Sequence, residues 1–133
     1  MEPLGHRISQ AYIDNNEKKI ELDGKYLFKI SQEIQNNSSE NLELFPYAQI
    51  TRNKIPDDIQ NFYISHEGFI GVFDEELKED DYDDIEENKI VREANEGWFG
   101  ITDKYWMTAV VPKKGENFKS TFLYKDSFKA NYI

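Results

Sequence analysis

Short stretches in which apolar and polar positions alternate run through the whole chain. Phe28 and Ile30 are separated by Lys29, and Tyr26 continues the alternation toward the N-terminus. Successive side chains of a strand point to opposite faces, so a period of two predicts a strand over residues 25–31. Further strands are predicted over residues 42–52, 62–64, 69–73, 98–102, 105–111, 118–124 and 128–133.

Turn residues separate these segments. The run from Asn36 to Ser39 predicts a turn, since Asn and Ser side chains hydrogen-bond to their own backbone. Asp103 and Lys104 indicate a hairpin turn, and Pro46 indicates an edge or a bulge in its strand because proline cannot donate to a ladder. Seven or eight strands at a spacing of about 8 to 12 residues are typical of an antiparallel β-sandwich. We therefore predict an all-β fold with little helix.

Composition narrows the class of protein. The chain has 133 residues, including 9 Phe, 8 Tyr and 2 Trp, which fits one folded domain rather than a disordered segment. The net charge of -10 disfavours nucleic acid and bare anionic lipid as partners. The chain has no cysteine, which excludes disulfides and thiolate chemistry, and no apolar run of about 18 residues that would cross a bilayer.

Acidic residues concentrate between positions 74 and 87, where ten carboxylates accompany a single base, Lys78. Carboxylates could bind calcium, but the order of ligands and glycine in an EF-hand loop is absent. We interpret this segment as a solvated, mutually repelling loop, exposed for contacts, and expect no metal site.

His66 and Glu67 form the pair best suited to acid–base chemistry. Adjacent residues of a strand point to opposite faces, so we interpret the pair as holding a loop and expect no catalytic residue. The aromatic cluster of Trp98, Phe99, Tyr105 and Trp106 could be a binding platform, but such residues more often lie in a sheet core, which we favour here.

Two blocks of sequence resemble a known family. The first is HEGFIGV over residues 66–72, followed by Leu77-Lys78-Glu79, and the second is GWFGITDKYW over residues 97–106. Both resemble blocks of the periplasmic domain of YidC, the bacterial membrane-protein insertase. The motif residues, to which we assign structural roles, are His66, Glu67, Gly68, Gly71, Gly97, Trp98, Gly100, Thr102, Asp103, Lys104, Tyr105 and Trp106.

The resemblance covers residues 21–133. This segment is similar to a central part of that domain. Residues 1–20 match poorly and are either a first strand or residues added for expression. The implied fold is part of a β-supersandwich related to sugar mutarotases. The implied role is non-catalytic and needs no cofactor: contact with the Sec translocon (SecF and SecYEG) and with nascent membrane-protein clients, from a periplasmic domain of an inner-membrane protein.

Other interpretations stay open. A carbohydrate-binding or carbohydrate-active sandwich would stack aromatic rings on sugars and use His66 with Glu67, and a stand-alone acidic adaptor is a third possibility. A truncated sandwich would also leave sheet edges unpaired, so we predict an edge-paired homodimer. A monomer at high micromolar concentration in sedimentation would contradict that prediction.

Overall fold

The computed structural model describes residues 15–25, 27–55, 57 and 66–133. The chain divides into two compact units between Phe45 and Pro46, and each is described by itself. Tyr26 and the predicted strand over residues 62–64 lie outside the described residues.

The first unit contains an antiparallel hairpin of β1 (Asn15–Leu22) and β2 (Phe28–Gln35). The Asp23 carboxylate accepts hydrogen bonds from the backbone N–H groups of Lys25, at 2.6 Å, and Leu27, at 2.9 Å. This turn occupies the positions where the alternation predicted the start of a strand, so β2 begins only at Phe28. The predicted turn after β2 is confirmed, because the Asn36 side chain accepts the Ser38 N–H at 3.0 Å.

The described residues of the second unit form two four-stranded antiparallel sheets. The predicted all-β antiparallel sandwich is confirmed, with one short helix, α1, in the described part of this unit. Its elements are β3 (Ala48–Arg52), β4 (Gly68–Phe73), β5 (Glu76–Asp80), α1 (Tyr82–Glu87), β6 (Ile90–Ala94), β7 (Gly97–Thr102), β8 (Met107–Val110), β9 (Phe118–Tyr124) and β10 (Phe128–Tyr132). The strand orders are β3-β10-β9-β6 in the first sheet and β5-β4-β7-β8 in the second sheet.

Aromatic side chains fill the space between these two sheets. Phe69 and Phe99 of the second sheet, and Phe122 and Phe128 of the first, are almost completely buried. Their rings are in contact across the sandwich, with the centroids of Phe69 and Phe122 separated by 4.9 Å. Alternating burial along β4, β9 and β10 places Phe69, Phe122 and Phe128 inward, as the period of two predicted.

The acidic segment over residues 74–87 differs from its interpretation as a loop, because it contains β5 and α1. The carboxylates lie mostly on outward positions, whereas Tyr82 and Ile85, three residues apart on α1, are buried against the core. Charge repulsion along the segment is therefore outweighed by the burial of these two large side chains.

Candidate functional site

The first sequence motif forms a tight corner before β4. His66 lies with Nε2 at 2.7 Å from the backbone oxygen of Phe69, and its Nδ1 is 3.6 Å from a carboxylate oxygen of Asp81. The ring side chain is largely buried, with 13% of its surface exposed. When Nε2 carries the proton, it donates to the Phe69 carbonyl and ties the corner to the strand.

Gly68 lies in the same corner with a φ of 145°, a conformation that favours glycine. A Cβ atom at this position would lie 2.6 Å from the backbone oxygen of Asp80. Close approach of the β4 and β5 backbones therefore needs glycine here. Glu67, next to it, has one buried carboxylate oxygen, Oε2, without a hydrogen-bond partner among the described residues.

The second motif contributes a polar network. The Tyr82 hydroxyl donates to Asp103 Oδ1 at 3.0 Å, and the other oxygen of Asp103 pairs with the Arg52 guanidinium. Arg52 lies on β3 of one sheet and Asp103 follows β7 of the other, so the network joins the two layers. Burial, followed by the Asp103 carboxylate, raises the pKa of Tyr82, which keeps the phenol protonated and donating.

A second ion pair joins the sheets along another edge. The Arg92 guanidinium of β6 donates to both carboxylate oxygens of Asp80 on β5, at 2.7 and 2.8 Å. Arg92 also lies over the rings of Phe73 and Phe122, at 5.4 and 5.6 Å from their centroids. The pair is mostly buried and bidentate, a geometry in which arginine is not interchangeable with lysine.

The aromatic cluster separates into buried and exposed members. Phe99 is fully buried and Trp98 is half-buried on the opposite face of β7, whereas Tyr105 and Trp106 are 75% and 74% exposed. The interpretation of the cluster as core is thus right for Phe99 and wrong for Tyr105 and Trp106. The hairpin explains the difference: the Asp103 N–H donates to the Trp106 carbonyl at 2.7 Å, so these two rings fall in the connection rather than in a strand.

Exposed apolar side chains lie on and next to strand β8, which is at an edge of its sheet among the described strands, and lysines lie before and after it. Met107 and Val111 are 53% and 73% exposed. Three lysines and no carboxylate lie between residues 104 and 114. We call residues 104–114 the β8 edge.

An open cleft of about 330 Å³ lies beside the end of the β8 edge. Val72, Val111 and Pro112 provide apolar walls. Charged groups of both signs complete it: Glu75, Glu96, Glu116, Lys113 and Lys114.

The structure disperses the other motif residues along the sheet. Gly71 lies within β4, Gly97 and Gly100 within β7, and Thr102 at its end. Lys104 lies with its ammonium nitrogen 5.3 Å from the centroid of the Tyr105 ring. His66 is thus held by the Phe69 backbone, whereas Tyr105, Trp106 and Lys104 share an exposed edge. Among the described residues, no three His, Asp or Glu side chains form a group that could hold a metal ion.

Sequence reasoning missed the β8 edge as a surface. Its signal is the cluster of Lys104, Lys113 and Lys114 without any carboxylate, in a chain whose net charge is -10. The aromatic residues of this segment favour a core position, whereas its lysines indicate a surface.

The structure is thus a β-sandwich in which two polar residues of the sequence motifs have structural contacts. His66 contacts the Phe69 backbone, and Asp103 links the two sheets through Arg52. Comparison with known proteins extends this description. The chain matches the family model of the YidC periplasmic domain over residues 14–133. It therefore belongs to the YidC periplasmic domain family, and the resemblance seen in the sequence is confirmed.

Relatives with this domain are named membrane protein insertase YidC. The protein from Pelagibacter ubique (strain HTCC1062) is 49% identical over 117 residues, which is 88% of this chain and 21% of that protein. Those from Rickettsia bellii (strain OSU 85-389) and Cereibacter sphaeroides (strain ATCC 17029 / ATH 2.4.9) are 42% and 37% identical, over 79% and 80% of this chain and 19% of each relative. The chain thus spans about a fifth of the length of these relatives. No solved structure matches the chain.

In the described part of the chain, no helix is both long and apolar enough to cross a bilayer.

Proposed function

We propose that this chain is the periplasmic, non-catalytic part of an inner-membrane protein insertase and that it serves as an interaction domain. Its partners are the Sec translocon, through SecF or SecYEG, and nascent membrane-protein clients. Membership of the YidC periplasmic domain family, over residues 14–133, carries the proposal. The names of the relatives, all membrane protein insertases, support it.

The arrangement of polar groups favours an interaction role over catalysis. Asp103, Tyr82 and Arg52 bind one another, and Asp80 binds Arg92, so these groups are engaged in joining the sheets. The exposed aromatic side chains lie instead on the β8 edge.

The carbohydrate-binding alternative requires His66 and Glu67 to converge on an open concave site. His66 instead lies against the Phe69 backbone and is 13% exposed. Titration of the chain with monosaccharides while recording Trp fluorescence tests this alternative. We expect no change, whereas a saturable shift would favour sugar binding.

Cell fractionation tests the proposed function directly. An antibody raised against this chain should detect a band in the inner-membrane fraction of the source organism, much heavier than the chain itself. External protease should remove the epitope in spheroplasts but not in intact cells. A band in the soluble cytosolic fraction, protected from protease in spheroplasts, would contradict the proposal.

A further inference from the structure

We propose that the β8 edge binds an extended polypeptide segment with apolar side chains and acidic flanks, which adds as a fifth strand next to β8. The inference depends on the proposed function only for the origin of the segment, a client or partner protein. Binding itself is argued from the edge.

Among the described strands β8 pairs only with β7, so its other side offers a row of backbone hydrogen-bonding groups. Phe99 lies opposite Val110, and Thr102 lies opposite Met107. Because Asp103 and Trp106 form a hydrogen-bonded pair, the antiparallel alternation directs the N–H and C=O groups of Met107 and Ala109 away from β7. Such an edge is a template for an added strand.

Several large apolar side chains of the edge are exposed to solvent. The most exposed members are Tyr105, Trp106, Met107 and Val111, each with more than half of its surface accessible. Large exposed apolar groups in a row mark interaction surfaces in soluble domains. Tyr and Trp are also the side chains most enriched among residues that dominate binding energies.

Lysines at the ends of the β8 edge favour acidic residues at the ends of a bound segment. Lys104 lies at the start of the β8 edge and Lys113 and Lys114 at its end, without a carboxylate between them. Lys113 contacts Glu116 at 3.4 Å, but both side chains are well exposed and such pairs are weak. A carboxylate at one flank of an added strand would therefore meet Lys104. A carboxylate at the other flank would meet Lys113 and Lys114, which share the cleft with Glu75, Glu96 and Glu116.

Other occupants fit this edge less well. A second copy paired through its own β8 would place lysines against lysines, which is unfavourable. The opposite edge of the same sheet, β5, is acidic, but its outward face supplies a single large apolar side chain, Leu77. An anionic lipid surface attracts lysines, but it offers no regular row of donors and acceptors that matches a strand edge.

The test uses the 133-residue chain and a fluorescein-labelled peptide of alternating Val and Thr residues with two Glu residues at each end. Binding is followed by anisotropy. Ala109→Pro removes an outward N–H and leaves the bonds to β7, whereas Ala109→Thr retains the N–H and serves as the control. We expect Ala109→Pro to weaken binding at least about tenfold and Ala109→Thr by less than about twofold.

A second set of variants tests the charge argument without proline. Neutralising the edge in K104Q/K113Q/K114Q should weaken binding of the Glu-flanked peptide and reduce its salt dependence. The matched control, K89Q/K119Q/K125Q, removes three exposed lysines from other surfaces and should bind as the unchanged chain does. A peptide flanked by Lys instead of Glu should bind more weakly to the unchanged chain.

Several results would overturn the inference. They are absence of peptide binding, unaltered binding by a folded Ala109→Pro variant, and equal losses in the two lysine triples. Binding to phosphatidylglycerol vesicles without binding to the peptide would assign the edge to lipid, and self-association abolished by Ala109→Pro would assign it to a second copy. These results leave the fractionation test untouched, so the two proposals fail separately.

Discussion

Gly68 and the Arg92–Asp80 pair show how much of this fold depends on single residues. Gly68 allows the backbones of β4 and β5 to approach, and Arg92 neutralises a buried carboxylate between the two sheets. Gly68 lies between two strands of one sheet and Arg92 joins the two sheets, so changes at either position should affect the stability of this unit.

Substitution of Gly68 by alanine should destabilise the chain by about 2–4 kcal/mol, from the positive φ and the contact with the Asp80 carbonyl. Gly115→Ala is the matched control, because Gly115 has a φ of 88° and open space around its Cβ position. It should cost about 1 kcal/mol. Urea unfolding measures both, and equal losses would contradict the role of the close approach.

Replacing Arg92 alone should lower the free energy of unfolding more than replacing both Arg92 and Asp80 by apolar residues. Arg92→Met leaves the Asp80 carboxylate buried without its partner and should cost about 3–5 kcal/mol. The double variant R92M/D80L should recover most of this loss, since apolar groups can replace a buried ion pair. A double variant as unstable as Arg92→Met in urea unfolding would show that the pair is not coupled.

Helix α1 and the hairpin between β7 and β8 meet through the Tyr82–Asp103 hydrogen bond. Tyr82→Phe keeps the buried ring but removes the donor, so it should cost about 1.5–3 kcal/mol, the range for a hydrogen bond to a charged group. Thermal unfolding near neutral pH measures the loss. Tyr105→Phe, at an exposed position of the same hairpin, is the control and should change little.

Alkaline unfolding should depend on the same hydroxyl. The pKa of Tyr82 is raised in the folded state by burial and by Asp103, so above about pH 10 the unfolded state loses this proton first. Stability should therefore fall with rising pH, by up to about 1.4 kcal/mol per pH unit from this group. Tyr82→Phe should show a shallower decline than the unchanged chain, and identical slopes would contradict the assignment.

Local alternation predicts the strands of this chain well, because which face a side chain occupies follows from its neighbours. The predicted strands over residues 118–124 and 128–133 correspond to β9 and β10, and the latter ends at Tyr132. The strand predicted over 42–52 begins only at Ala48, after Pro46, and β3 lies at a sheet edge as proline indicated. Strand β5 and helix α1 are predicted less well, because they are stabilised by packing against residues far away in the sequence.

The β8 edge shows the limit of sequence reasoning for the candidate site. An aromatic residue in a strand-like segment is compatible with core and surface alike, and the turn length decides between them. The hairpin closes at Asp103 and Trp106, which places Tyr105 and Trp106 outside the core. The lysine cluster could be found from sequence, but not its alignment with an unpaired strand edge.

At the scale of the whole molecule, an acidic chain carries an edge with exposed aromatic side chains and three lysines, on a sandwich whose sheets are joined by two ion pairs among the described residues. The predicted edge-paired homodimer stays a prediction, and the lysines at both ends of the β8 edge argue against this edge as its contact. Within the protein that contains this domain, the edge would supply the interaction role that we propose.

Site-specific photocrosslinking in the source organism tests this account most directly. A photoreactive amino acid replaces Trp106 in the native-length protein, with Lys89 on another surface as the control position. Adducts are identified with antibodies to Sec components and by pulse-labelling of known membrane-protein clients. We predict such adducts from position 106 and not from position 89. Equal adducts from both positions, or none from position 106 in a protein that fractionates with the inner membrane, would contradict the account.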